Sequence, residues 1–191
     1  MEPEKAQAIV DEIFSLYEQH GNEDYIGEPV SQLEHMCQSA QLAEAEGYDE
    51  EVILAAFFHD IGHLCEHVME NVQFMDGYGV ADHESLAASF LSEKGFSNKM
   101  AALVQSHVNA KRFLTWKFPD YYQQLSEASK ITLGKQGGVM NDEEARAFES
   151  DPLFPLFIKV REWDDKAKRE QVPIPPLDKY KAMALRHLLN R

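Results

Sequence analysis

Apolar side chains at Ala6, Ile9, Val10, Ile13, Phe14 and Tyr17 follow the i, i+3, i+4, i+7 spacing of an amphipathic helix over residues 4–20. Gly21, Asn22, Gly27 and Pro29 break that pattern and predict a loop over 21–29. Helical patterning resumes over 31–46, ended by Gly47, and over 50–66, where Asp49 is available as an N-cap. The stretch 67–80 is irregular around Gly77, Tyr78 and Gly79. Further helices fit 82–94, 97–111, 119–133, 142–149, 153–169 and 178–190. No clear strand alternation, internal repeat or low-complexity tract competes with this reading. The expected fold is all-α, a bundle of eight to ten helices forming one domain over 1–191. The Pro-rich linker 172–176 is expected to lay helix 178–190 back on the body.

A length of 191 residues suits one core, and 44% hydrophobic residues suffice to fill it, which argues against wholesale disorder. The 33 acidic residues outnumber the 18 basic ones, so the net charge of −15 argues against nucleic acid and anionic membrane as partners. Whole-surface charge is screened beyond about 8 Å at physiological salt, so a small anionic substrate stays open. Cys37 and Cys65 form neither a disulfide framework nor a C-x-x-C pair. The charged start, Met1 to Lys5, lacks the apolar stretch of a signal peptide. No apolar run approaches the roughly 18 residues that span a bilayer. The expectation is a cytoplasmic protein with reduced thiols.

The histidines add chemistry to this bundle. His35, His59, His83 and His107 recur at intervals of 24 residues, each on a separate expected helix. Helix-plus-loop steps of similar length can return side chains to one depth, and bundle cores hold metals between facing helices. His59-Asp60 closes the apolar run Val52 to Phe58. An aspartate in such surroundings needs a partner, because an unpaired buried charge is expensive. A metal supplies one, and imidazole with carboxylate suits iron, manganese or zinc. Spacing alone leaves Asp164 and Asp165 equivalent as a distal ligand.

His35, His59-Asp60 and the distal Asp164 resemble the H…HD…D signature of the HD-domain superfamily, largely metal-dependent phosphohydrolases. Extra histidines at His83 and His107 match its dinuclear members. A longer ordered set resembles the mixed-valent diiron oxygenases that cleave organophosphonates. It comprises Asp24-Tyr25-Ile26-Gly27-Glu28, Gln32-Leu33-Glu34-His35, His59-Asp60-Ile61-Gly62-His63 and Gly77-Tyr78-Gly79-Val80 before His83-Glu84. It continues with His107-Val108 before Lys111-Arg112, Leu125-Ser126 with Ser129 and Thr132, Gln136-Gly137-Gly138, and Trp163-Asp164.

The resemblance implies an HD-domain bundle around a central dinuclear site. Its metal ligands would be His35, His59, Asp60, His83, His107 and Asp164, Trp163 deciding between the two aspartates. Asp60 would bridge two iron ions, Fe(II) and Fe(III). His35, His59 and Asp164 would complete one, and His83 and His107 the other. His63 and Lys111 each follow a ligand histidine by four residues and would bind phosphonate oxygens. Ser129 and Thr132 would join them. Tyr25 and Glu28 would form a mobile gate over the irons. Gln136-Gly137-Gly138 reads locally as a helix end and is given no role.

The implied reaction is O2-dependent cleavage of the C–P bond of a 1-hydroxy-2-aminoethylphosphonate or its N-trimethyl analogue. Its products are phosphate plus glycine or glycine betaine. A separate phosphonate hydroxylase is implied upstream. The alternative is a dinuclear HD phosphohydrolase acting on a nucleotide or phosphate ester, which needs neither gate nor O2. Inositol oxygenation shares the ligand set but not the segments around Tyr25 and Ser129. A vestigial binding module would be expected to lack a ligand.

Overall fold

The computed structural model describes residues 1–70 and 72–190. Its helices are α1 (Pro3–His20), α2 (Gln32–Ala45), α3 (Glu50–Phe58), α4 (His83–Glu93), α5 (Asn98–Lys117), α6 (Tyr121–Gln124), α7 (Glu127–Lys135), α8 (Asp142–Glu149), α9 (Phe154–Lys166) and α10 (Asp178–Leu189). A 3-10 segment, Ile61–His67, follows α3. Among the described residues there is no β-strand. Two isolated bridges, Asp24 with Ser31 and Phe74 with Val80, close the loops that lead into α2 and α4.

Every residue of α3 from Val52 to Phe58 is buried, so this helix is apolar on all sides and runs through the core. The helices α2, α5, α9 and α10 pack around it. Phe14, Tyr17, Phe57 and Tyr180 interlock their rings where α1, α3 and α10 meet. The last helix therefore lies against the body through Tyr180, Met183, Ala184 and Leu188.

Start signals behave as side-chain chemistry dictates. Ser31 accepts from the Glu34 amide while Glu34 reaches back to the Ser31 amide, a reciprocal capping box that starts α2. Asp49 caps α3 through the Val52 amide.

Four expected helices differ in extent, one of which, expected over 153–169, ends at Lys166. The helix expected over 50–66 stops at Phe58 and tightens into the 3-10 segment. The reason is local. A Cβ on Gly62 would lie 1.9 Å from the His83 carbonyl oxygen, so the segment docks backbone to backbone on the start of α4. The helix expected over 119–133 is two pieces, because the Ser126 hydroxyl accepts from the Ser129 amide and starts α7 afresh. The helix expected over 97–111 runs on to Lys117.

Candidate metal centre

Six side chains converge from five places: His35 on α2, His59 and Asp60 just past α3, His83 at the start of α4, His107 on α5 and Asp164 on α9. All six are buried, none more than 4% exposed. Each ring is oriented the same way. His35 Nδ1 donates to the Ala167 carbonyl (2.9 Å), His59 Nδ1 to Ala56 (2.8 Å), His83 Nδ1 to Val80 (3.3 Å) and His107 Nδ1 to Val104 (2.8 Å). A neutral imidazole that donates through Nδ1 presents a bare lone pair at Nε2.

Those lone pairs point at one another. His35 and His59 Nε2 lie 3.1 Å apart, and His83 and His107 Nε2 lie 2.9 Å apart. Asp60 stands between the pairs. Its Oδ2 is 3.5 Å from both His35 and His59, and its Oδ1 is 3.3 Å from both His83 and His107. Asp164 Oδ1 joins the first pair, 3.5 Å from His35. Asp60 Oδ2 is buried without a hydrogen-bond donor. Facing lone pairs and an unsatisfied carboxylate oxygen are costly unless a cation lies among them. The residues present therefore fit two metal ions, which the histidine pairs on either side of Asp60 would hold.

Charges bear this out. Burial alone would raise Asp60, but the surrounding histidines, His59 first, hold it well below the usual carboxylate range. Burial also pushes His35 down, yet Asp164 and Asp60 outweigh it and raise its pKa to about 9. Burial pushes His59 down to about 4, against the pull of Asp60. Without metal, a proton on His35 takes the place a cation would fill.

Asp164 is steered from behind. Arg161 Nη1 donates to its Oδ2 at 2.7 Å, leaving Oδ1 toward the histidines. The same guanidinium grips Asp165, and Tyr121 donates to Asp165 while accepting from Arg161 Nε (2.9 Å). Asp165 therefore faces away from the centre. Trp163 anchors this turn by donating to Glu46 on the rim of α2 (3.1 Å).

A pocket opens over the centre, lined by Asp60, His83, His107 and Asp164 below and by Tyr25, Glu28, His63, Lys111, Ser129 and Thr132 around it. Lys111 is 3% exposed. Burial and then nearby Arg161 lower its pKa to about 7. Its ammonium donates to Thr132 Oγ1 (2.9 Å) and Gln136 Oε1 (2.6 Å), which leaves a third N–H for an anion. Gln136 thus lines the pocket and positions Lys111. Gly137 and Gly138 behind it both have positive φ, the Gly138 amide ends α7 by donating to the Leu133 carbonyl (2.8 Å), and the Gly138 carbonyl accepts from Arg112 (2.9 Å).

His63 reaches the pocket by another route than a shared helix face. It lies on the 3-10 segment and stacks on His83, centroids 4.1 Å apart. Its Nδ1 accepts from the Val80 amide (3.2 Å), so a neutral His63 carries its proton on Nε2. Gly79 makes room for the ring, since a Cβ there would lie 2.7 Å from His63 Cε1.

Tyr25 stacks on His35, centroids 4.2 Å apart and planes within 13°. Burial of its hydroxyl, then Asp60 and Asp164, hold its pKa well above normal. The turn between Tyr25 and Glu28 closes through the Glu28 amide (2.9 Å) and uses Gly27 at φ +80°. Glu28 accepts from Lys168 Nζ (2.7 Å) and Ser126 Oγ (2.5 Å). Arg161 and Lys168 carry no role in the sequence reading, and Gln136, named there as part of a helix end, gains one through Lys111. Arg161 sits one turn before Asp164, a spacing that signals an i, i+3 pair; no local pattern flags Lys168.

A carboxylate shared between two buried histidine clusters on a helical scaffold defines a dinuclear HD-type centre. Residues 33–145, more than half of the chain, match the HD domain family, and the chain belongs to it. It is 40% identical over 167 residues to the [1-hydroxy-2-(trimethylamino)ethyl]phosphonate dioxygenase (glycine-betaine-forming) of Leisingera caerulea, covering 87% of this chain and 84% of that protein. It is 36% identical over 173 residues to the hydroxymethylphosphonate dioxygenase of Gimesia maris, covering 90% and 84%. An uncharacterized protein of Acanthamoeba polyphaga mimivirus is 46% identical over 179 residues, covering 94% and 81%. The chain is a metal-dependent HD-domain oxygenase that uses O2. No helix among the described residues is long and apolar enough to cross a membrane.

Proposed function

We propose that this enzyme cleaves the C–P bond of a 1-hydroxy-2-aminoethylphosphonate or its N-trimethyl analogue. The observation that carries the reading is Asp60, whose two oxygens each face a separate histidine pair beneath a pocket holding a buried lysine. The two relatives' names share a phosphonate and a hydroxyl group, which supports an anionic, hydroxylated substrate. Substrate plus O2 balances to phosphate plus glycine, or glycine betaine, with no further reductant. A separate hydroxylase would supply the 1-hydroxyl group.

Two iron ions, as an Fe(II)/Fe(III) pair, would be held by His35, His59 and Asp164 on one side of Asp60 and by His83 and His107 on the other. When bound, they supply the redox chemistry with O2. The chain's own residues do the rest. Lys111, Ser129, Thr132 and the Nε2–H of His63 bind phosphonate oxygens and fix the substrate's orientation. Tyr25 covers the His35 side until substrate displaces it, and Glu28, held by Lys168 and Ser126, anchors the hinge of that movement. The whole chain, 1–191, would act as one domain.

The test is aerobic turnover of both substrates with phosphate and the organic product quantified, alongside metal analysis. Phosphate is expected only with O2, from protein carrying about two irons. Phosphate released under strict anaerobiosis would point to hydrolysis and overturn the proposal.

A further inference from the structure

One polar group in the pocket has no task in this scheme. Gln32 lies on the first turn of α2, one turn before His35 and on the same helix face. It lines the pocket and is 8% exposed. Its backbone amide is used, donating to the Glu23 carbonyl (3.0 Å). Its side-chain Oε1 is buried with no donor. A buried carbonyl oxygen without a donor is destabilising, and such groups persist where a ligand satisfies them.

The pocket's polar groups are divided by type. Lys111, Thr132 and Ser129, on α5 and α7, offer N–H and O–H donors. Gln32 offers an acceptor, and Glu66 adds a carboxylate to the lining whose ion-pair contact among the described residues is with His67, 4.0 Å away. Of the other acids there, Glu28 is already occupied by Lys168, and Asp60 and Asp164 belong to the metal centre. These acceptors stand on α2 and the 3-10 segment, the donors on α5 and α7, so a ligand that fits carries both an anionic group and a cation with N–H donors.

We propose that Gln32 Oε1 accepts a hydrogen bond from the primary ammonium of the substrate, with Glu66 supplying the opposing charge, so that the enzyme selects the primary amine over the N-trimethyl compound. A quaternary ammonium carries no N–H. It would press methyl groups on an oxygen left unsatisfied, the arrangement by which a polar site rejects an analogue lacking its donor. This rests on the C–P cleavage reading.

The experiment compares three hydroxyphosphonates on the iron-loaded enzyme: the primary amine, its N-trimethyl analogue and hydroxymethylphosphonate, which has no amine. Gln32→Leu is expected to lower kcat/KM for the primary amine by about 10- to 100-fold and to leave the other two within about threefold. Gln32→Glu, which restores an acceptor, is expected to recover the primary amine. A readout without turnover is anaerobic binding of 2-aminoethylphosphonate against ethylphosphonate. Wild type should favour the amine, and Gln32→Leu should abolish the preference. Equal losses on all three substrates, or a wild-type preference for the trimethyl compound, would overturn the inference while C–P cleavage stands. No turnover of any of the three by wild type would overturn both.

Discussion

At the floor of the pocket each ligand imidazole is fixed by a carbonyl of a helix or of the residues flanking one, inside a fully buried core. At the mouth, Tyr25 is held by its stack on His35 and by the Lys168 ammonium over its ring, and its loop turns on Gly27 at positive φ and an isolated bridge. The floor is determined many times over, whereas the mouth rests on few contacts that can be exchanged. Chemistry that needs fixed ligand geometry occupies the first region. Substrate entry, which needs movement, occupies the second.

Breaking the floor should have the largest effects. His83→Ala is expected to lose one of the two metals and at least about 1,000-fold in kcat, read by metal analysis and turnover. Retained turnover would refute the shared role of Asp60. Arg161→Gln leaves Asp164 without its steering partner and should weaken metal affinity by about 10- to 100-fold, measured by competition with a chelator. Protein that kept wild-type affinity would show that Asp164 needs no steering.

The metal-free floor should also respond to pH. The folded pKa of His35 is about 9, above the unfolded value of 6.5. Its contribution to stability is therefore fully present below about pH 6.5 and lost as pH rises through about 9. Metal-free protein should melt at falling temperature across that window. Metal-loaded protein should not, because metal replaces the proton, and loading should release protons at neutral pH.

Between floor and mouth stands Lys111, with a pKa of about 7 in the free enzyme. As pH rises above 7 the ammonium is lost, so kcat/KM for an anionic substrate should fall. Lys111→Arg should retain charge and remove that fall, at lower overall activity. An unchanged pH profile would detach Lys111 from substrate binding. The mouth should yield the smallest change. Tyr25→Phe is expected to alter substrate affinity a few-fold and to perturb the iron spectrum. No change in either would leave the ring without a gating role.

The bundle was legible because helix periodicity and caps are local. The amphipathic stripe of α1 and the Ser31 and Asp49 starts needed no knowledge of neighbours. The break after Phe58 was not legible, because it depends on Gly62 meeting His83 across the fold. The ligand histidines announced themselves by even spacing and by an aspartate in apolar company. The choice of Asp164 over Asp165 depended on family resemblance, since Arg161 pairs with both along α9, and what separates them, His35 beside Asp164 and Tyr121 donating to Asp165, is tertiary. Gln32 falls in a segment that carries the family resemblance, but its unsatisfied oxygen shows only in the fold, and Lys168 is conspicuous only for reaching Glu28 across the chain.

The contact of Gly62 with the His83 carbonyl ties the two halves of the centre through the backbone. Gly62 stands two residues beyond Asp60, and His83 is a ligand on the other side of that aspartate. A side chain at position 62 would therefore displace both halves at once, although Gly62 is itself no ligand.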